Sequence, residues 1–79
     1  MGTSIIQNQI RRLRFNADEM TQQQLADEVG VSRQTIVAIE KGNYSPSLEL
    51  AFRIAHTFKT PLTEVFIYEH VELPKKKKK

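Results

Sequence analysis

The 79-residue chain has no cysteine, no tryptophan, only three glycines and no long apolar run. Without cysteine there are no disulfides, thiolate metal sites or cysteine nucleophiles. No segment approaches the roughly 20 apolar residues that cross a bilayer, and the N-terminus lacks the basic and apolar segments of a signal peptide. We therefore expect one small cytoplasmic domain in residues 1–73, without membrane contact, followed by a disordered lysine tail in residues 74–79.

The formal net charge of +3 comes from the end of the chain. Five of the 12 basic residues are Lys75–Lys79, which leaves 7 basic against 9 acidic residues, a body of net −2. The lysine run has three interpretations: a solvated tail, a nonspecific phosphate contact or an appended solubility sequence. We favour a tail of little specific function, because a flexible run of identical charges carries no sequence information.

Enzymatic and metal sites find no support in the sequence. The three glycines are too scattered for a phosphate-binding loop. His56 and His70 have no second ligand at metal spacing on the same face, and the serines resemble helix caps rather than members of a hydrolytic triad. We expect no enzymatic activity, no metal and no cofactor.

The first helix is predicted from an apolar stripe. Ile6, Ile10 and Leu13 follow the i, i+4, i+7 spacing of one helical face. The helix should run from Ile5 to about Asn16, with a cap at residue 3 or 4.

The second helix has clear signals at both ends. Thr21 followed by Gln24 is typical of a capping box. Gly30 can adopt a positive φ and should end the helix. The predicted helix spans about Gln22–Val29.

The third helix follows almost at once. Ser32 is its predicted cap, Ile36 and Ile39 face inward, and Gly42 ends it. With so short a link, the second and third helices must cross steeply, which is the geometry of a helix-turn-helix.

Two more helices complete the predicted all-α fold of five short helices and a short extended C-terminal arm. Ser47 should cap a fourth helix, about Leu48–Phe58, and Thr60 should cap a fifth that has Pro61 at its first position. Residues 66–73 could form a short strand or an extended arm. The inward-facing residues predicted for the fourth helix are Leu48, Ala51, Ile54, Ala55 and Phe58.

The exposed face of the third helix carries side chains that read base edges. Gln34 and Lys41 lie opposite Ile36 and Ile39 on the helical wheel. A glutamine can bind adenine with two hydrogen bonds, an arginine can bind guanine, and apolar groups can touch the thymine methyl. The other members of this face are Arg33, Thr35, Val37 and Ala38.

Residues 21–58 resemble the helix-turn-helix of the XRE family, the phage repressor and Cro-like DNA-binding proteins. The resemblance rests on the run SRQTI, AIEKG and SPSLELA, on Ala26 at the helix crossing and on Gly30 in the turn. It implies a repressor-like fold and a pair between Arg14 and Glu40. The segment from Arg14 to Thr21 is about one residue longer than is usual in the family.

The resemblance implies base contacts at Arg33 and Gln34, a later one at Ala38, a phosphate contact at Gln22 and a backbone-gripping loop at Asn43–Ser45. Neutral amides at the start of the second helix suit a phosphate oxygen. The predicted DNA-binding set is Gln22, Gln24, Ser32, Arg33, Gln34, Thr35, Val37, Ala38, Lys41, Asn43, Tyr44 and Ser45.

We expect a regulator of transcription that binds double-stranded DNA as a homodimer on a palindromic operator. Repression is the simplest mechanism, and activation is an alternative. We expect no effector domain within these 79 residues. The predicted dimer interface is Leu62, Phe66, Ile67, Tyr68, Val71 and Leu73, and the alternative is that this segment forms a lid over its own core.

The competing class is an antitoxin or coactivator-type module that binds another protein, which the body charge of −2 favours.

Overall fold

Two short strands bracket five helices in the computed structural model, which describes residues 6–68. The strands pair antiparallel, so the two ends of the described chain lie side by side. In that part of the chain, no helix has the length and apolar character to cross a membrane. The elements are β1 Ile6–Asn8, α1 Ile10–Asn16, α2 Gln22–Val29, α3 Arg33–Glu40, α4 Leu48–Thr57, α5 Leu62–Val65 and β2 Phe66–Tyr68.

The start of α2 is fixed by reciprocal hydrogen bonds. The Gln24 backbone N–H donates to Thr21 Oγ1 at 3.0 Å, and the Thr21 N–H donates to Gln24 Oε1 at 2.8 Å. Both satisfy amides that have no partner inside the helix. At the other end Gly30 has a φ of 80°. The predicted capping box, the predicted glycine stop and the predicted bounds of α2 are confirmed.

Serine caps start α3 and α4 as predicted. Ser32 Oγ accepts from the Thr35 N–H at 3.2 Å, and Ser47 Oγ accepts from the Leu50 N–H at 3.1 Å. Gly42, with a φ of 80°, follows the last turn of α3. Each cap of this type stabilises a helix by about 1 kcal/mol.

The core lies where α2, α3 and α4 meet. Ala26 has no exposed surface, which agrees with a small residue at the helix crossing. Each fully buried isoleucine or leucine contributes about 1.5–3 kcal/mol of apolar burial. The buried cluster is Ile10, Leu25, Ala26, Val29, Ile36, Ile39, Leu50, Ile54, Ala55 and Val65.

The predicted helical start at Ile5 is wrong. Ile6 pairs with Tyr68 across the two-stranded sheet, and α1 begins only at Ile10. The pairing partner lies near the other end of the chain, so local spacing could not reveal it. Of the two possibilities for the C-terminal arm, the strand is confirmed over Phe66–Tyr68. Residues 3, 4 and 69–73 lie outside the described residues.

Two further predictions are wrong, one on the buried face of α4 and one on the cap of α5. Leu48 is 67% exposed, and Leu50 is buried in its place, because Leu50 shares a helix face with Ile54 one turn later. Thr60 does not cap α5: its Oγ1 bonds the Phe58 carbonyl at 2.9 Å, and Pro61 occupies the cap position.

The link between α1 and α2 contains two consecutive left-handed residues. Asp18 has a φ of 62° and Glu19 a φ of 57°, a region that costs an L-residue about 1–2 kcal/mol. Two hydrogen bonds hold the ends of the link together. The Met20 N–H donates to the Arg14 carbonyl at 2.9 Å, and Arg14 Nη1 donates to the Met20 carbonyl at 2.8 Å. The left-handed pair lies in the segment between Arg14 and Thr21, which the resemblance predicts to be about one residue longer than usual.

Candidate nucleic-acid interface

The solvent face of α3 presents the side chains that were predicted to read bases. Arg33, Gln34 and Lys41 are exposed, and Val37 and Ala38 are half-buried beside them. Ile36 and Ile39, on the opposite face, are 0% and 1% exposed. Burial of these two isoleucines therefore fixes the rotation of α3 about its own axis, and this rotation points Gln34 away from the core.

Ser32 and Thr35 are engaged in the start of α3. Their hydroxyls lie 3.0 Å apart, and Ser32 Oγ also accepts the Thr35 N–H. Either hydroxyl could turn one remaining lone pair or proton outward. Their first effect is to fix the first turn of the helix that carries Arg33 and Gln34.

An open cleft runs beside α3, between the start of α2 and the end of α1. The lining contains more cationic than anionic side chains. Apart from the Arg14–Glu40 pair, it has three cations, Arg11, Arg33 and Lys41, and one anion, Glu19. Such a cleft attracts a phosphate backbone. The residues lining it are Arg11, Arg14, Glu19, Met20, Thr21, Gln22, Gln23, Arg33, Val37, Glu40 and Lys41.

A partly buried ion pair lines this cleft. Arg14 Nε donates to Glu40 Oε2 at 2.6 Å, and Arg14 Nη2 donates to Glu40 Oε1 at 3.0 Å. The two side chains are 14% and 9% exposed. The pair implied by the family resemblance is therefore in contact, and it uses the two parallel hydrogen bonds of an arginine–carboxylate fork.

Gln22 belongs to the same network. Its Nε2 donates to Glu40 Oε1 at 3.2 Å. One amide hydrogen is thereby used inside the protein, and the second remains for a ligand in the cleft. The side chain is held in place at the N-terminus of α2, where the helix dipole favours an anion.

Gln24 is not brought together with Gln22. Its Oε1 closes the capping box, and its side chain lines a different groove with Asp18, Asp27 and Glu28. Those carboxylates would repel a phosphate. The structure thus places Gln24 apart from the rest of the predicted set.

The predicted backbone-gripping loop leaves directly from the end of α3. Asn43, Tyr44 and Ser45 are exposed, and Tyr44 is exposed over 51% of its surface. The Asn43 N–H donates to the Ala38 carbonyl at 2.9 Å. This bond fixes the direction in which the loop departs from the helix.

Two residues that lie beside this surface were not predicted from the sequence. Arg11 lines the cleft one helical turn before Arg14. Residues three apart share a helix face, so the predicted contact of Arg14 with Glu40 could also have placed Arg11 beside α3. Asn8 joins β1 to α3: its Nδ2 donates to the Ile39 carbonyl at 2.9 Å. No local pattern reveals that contact.

The predicted dimer residues divide into two groups. Leu62 and Phe66 are partly buried against the protein's own core. Ile67 and Tyr68 are 40% and 57% exposed. Val71 and Leu73 lie outside the described residues.

Within residues 6–68, no three His, Asp or Glu side chains come together as a metal site would require.

Comparison with known proteins identifies the family. The family model described as Helix-turn-helix matches residues 10–65. The chain belongs to this family, the XRE-type helix-turn-helix proteins. The match includes every helix of the structure, from the start of α1 to the end of α5.

Named relatives include regulators from archaea and a phage repressor. An uncharacterised HTH-type transcriptional regulator of Methanocaldococcus jannaschii is 58% identical over 53 residues, covering 67% of this chain and 80% of that protein. One from Archaeoglobus fulgidus is 48% identical over 66 residues, covering 84% and 89%. The cryptic phage CTXphi transcriptional repressor RstR of Vibrio cholerae is 36% identical over 58 residues, covering 73% and 51%.

Proposed function

We propose that this protein is a transcriptional regulator that binds double-stranded DNA in the cytoplasm and represses transcription as a homodimer on a palindromic operator. The observation that carries the proposal is the exposed face of α3, with Gln34 at its centre and a cationic cleft beside it. The phage relative is itself named a repressor. The body charge of −2 favours the protein-interaction alternative, and no contact among residues 6–68 adds to it.

In the proposed complex α3 lies in the major groove. Gln34 and Arg33 contact base edges, and the half-buried Val37 and Ala38 offer apolar contact to a thymine methyl. Gln22 and the loop at residues 43–45 hold the two flanking phosphates. Repression follows when the bound protein covers the promoter.

The test compares two glutamines that have different proposed roles. Gln34→Ala should weaken binding to the preferred site by about 1–3 kcal/mol and relax the preference at one base pair. Gln22→Ala should weaken binding to all duplexes alike, because phosphate contacts carry no sequence information. Sites selected from a random duplex library give the preference of each variant. An unchanged selected site for Gln34→Ala would contradict the assigned reading face.

The homodimer is proposed through the two-stranded sheet. Ile6 and Tyr68 on one face of the sheet and Ile67 on the other face are exposed apolar side chains, and exposed apolar surface marks association sites. A two-fold dimer would place its α3 helices on half-sites about 34–36 Å apart, or a multiple of that distance.

Ile67→Asp tests the dimer, and Thr63→Asp on α5 is the matched control, since both positions are exposed. The wild type and the control should sediment as dimers at micromolar concentration. Ile67→Asp should sediment as a monomer and lose affinity for the palindrome far more than for one half-site. A wild-type monomer that binds a half-site tightly would return this segment to the role of a lid over its own core.

A further inference from the structure

Asn8 makes two hydrogen bonds with its side chain, and the two bonds serve different elements. Its Oδ1 accepts from the Ile10 N–H at 3.2 Å, at the start of α1. Its Nδ2 donates to the Ile39 carbonyl at 2.9 Å, in the last turn of α3. The side chain thus joins the two-stranded sheet to the C-terminal end of the helix that carries the proposed reading face.

The Ile39 carbonyl lies at the point where α3 turns into the exposed loop. It also accepts the Gly42 N–H at 3.0 Å, while the Asn43 N–H reaches back to the Ala38 carbonyl at 2.9 Å. These are the two backbone bonds of a Schellman turn. Asn8 therefore adds a third, long-range bond to a turn that otherwise depends on local contacts alone.

The loop that follows this turn packs near the same strand. Asn8 and Ile6 of β1 line a small gap together with Tyr44 and Ser45 of the loop. The loop therefore lies beside β1 as well as directly after the end of α3.

We propose that Asn8 is a positioning residue for DNA-backbone binding, because its amide holds the end of α3 so that the loop at residues 43–45 faces a phosphate. Asn8 itself touches no DNA. This inference rests on the proposed function, since it concerns the same interface, and it adds a coupling between the sheet and the affinity for DNA.

The two hydrogen bonds can be separated by substitution. Asn8→Ser keeps a short acceptor for the Ile10 N–H but is too short to reach the Ile39 carbonyl, and it adds no charge. Asn8→Asp keeps the acceptor and places a carboxylate against that carbonyl. Gln7→Glu is the control for added charge, because it introduces the same charge on the neighbouring exposed residue.

The experiment measures fluorescence anisotropy with a selected site and with a random duplex over a range of salt concentrations. Asn8→Ser should lower the affinity for both duplexes by the same factor, about 2- to 10-fold, the effect of one hydrogen bond. The slope of log K against log salt should stay the same, because residues 43–45 are neutral and their phosphate contact releases no counterion. Asn8→Asp should lose more affinity than Gln7→Glu. Hydrogen exchange at the Asn43 amide should become faster in both Asn8 variants.

Three results would overturn the inference. One is wild-type affinity for both duplexes in Asn8→Ser. Another is a loss confined to the selected site, which would mean that the variant alters base reading. The third is a loss that matches the unfolded fraction measured by circular dichroism, with unchanged Asn43 exchange. A wild-type protein that binds neither duplex would refute the proposed function as well, whereas the three results above refute the role of Asn8 alone.

Discussion

Replacing Glu40 by glutamine is the sharpest available test of how α1 is held to α3. Glu40 accepts two hydrogen bonds from Arg14 and one from Gln22. Glutamine keeps the shape but loses the charge, and it turns an NH₂ group towards a guanidinium that is itself only a donor. Arg14 would keep its other hydrogen bond, from Nη1 to the Met20 carbonyl at 2.8 Å.

The expected cost follows from burial and hydrogen bonding. Removing one partner of a fully buried pair costs about 3–5 kcal/mol. Arg14 and Glu40 retain 14% and 9% exposure, so water screens part of the stranded charge. We therefore expect Glu40→Gln to lower the free energy of unfolding by about 2–3 kcal/mol. A domain of this size has only about 4–12 kcal/mol in total.

Thermal and urea denaturation followed by circular dichroism measure this effect. A loss of 2–3 kcal/mol corresponds to a fall in Tm of roughly 10–20 °C for a domain of this length. The double variant Arg14→Met, Glu40→Leu should lose much less than the sum of its single variants, since no charge is left buried alone. Glu40→Gln with a stability within about 0.5 kcal/mol of wild type would refute the reasoning, because exposed ion pairs behave that way.

Three further predictions concern the helix crossing, the helix ends and the tail. Ala26→Leu should cost about 1–3 kcal/mol by overpacking and weaken DNA binding; a variant that melts and binds like wild type would mean that α2 and α3 do not cross there. Lys59, at φ 53° after α4, and Gly42, at φ 80° after α3, occupy equivalent left-handed positions. In urea denaturation, Lys59→Gly should therefore stabilise the protein by about 0.5–1 kcal/mol, and Gly42→Ala should destabilise it by a similar amount. A change of the same sign in both variants would contradict the argument from backbone strain. Deleting Lys75–Lys79 should flatten the salt slope of DNA binding by at most about 4–5 units and leave the selected site unchanged, whereas an altered site would show that the tail docks in a groove.

Local signals predicted the helix-turn-helix well. Thr21 with Gln24, Gly30 and Ser32 specify caps and stops through contacts within a few residues, and the structure contains each of them. The buried face of α3 followed from Ile36 and Ile39 alone, because one pair of apolar residues fixes the rotation of a short helix.

The features that sequence missed depend on partners far along the chain. Ile6 satisfies helical spacing with Ile10, yet it pairs with Tyr68. Leu48 and Leu50 both fit an apolar stripe at the start of α4, and only packing against the core selects Leu50. The bond from Asn8 to the Ile39 carbonyl spans 31 positions, so no local pattern contains it.

The pairing of β1 with β2 also has a consequence for the order of folding. The five helices lie between the strands in the chain, so the strands can meet only by closing a loop that contains the whole helical body. Loop closure at this separation is entropically costly, and three-residue strands give few hydrogen bonds in return. Once the helices have packed, residues 8 and 66 are already close, and most of that entropy has been lost. We therefore expect the sheet to form after the helical body and to open before it, as a separate low-stability unit in hydrogen exchange.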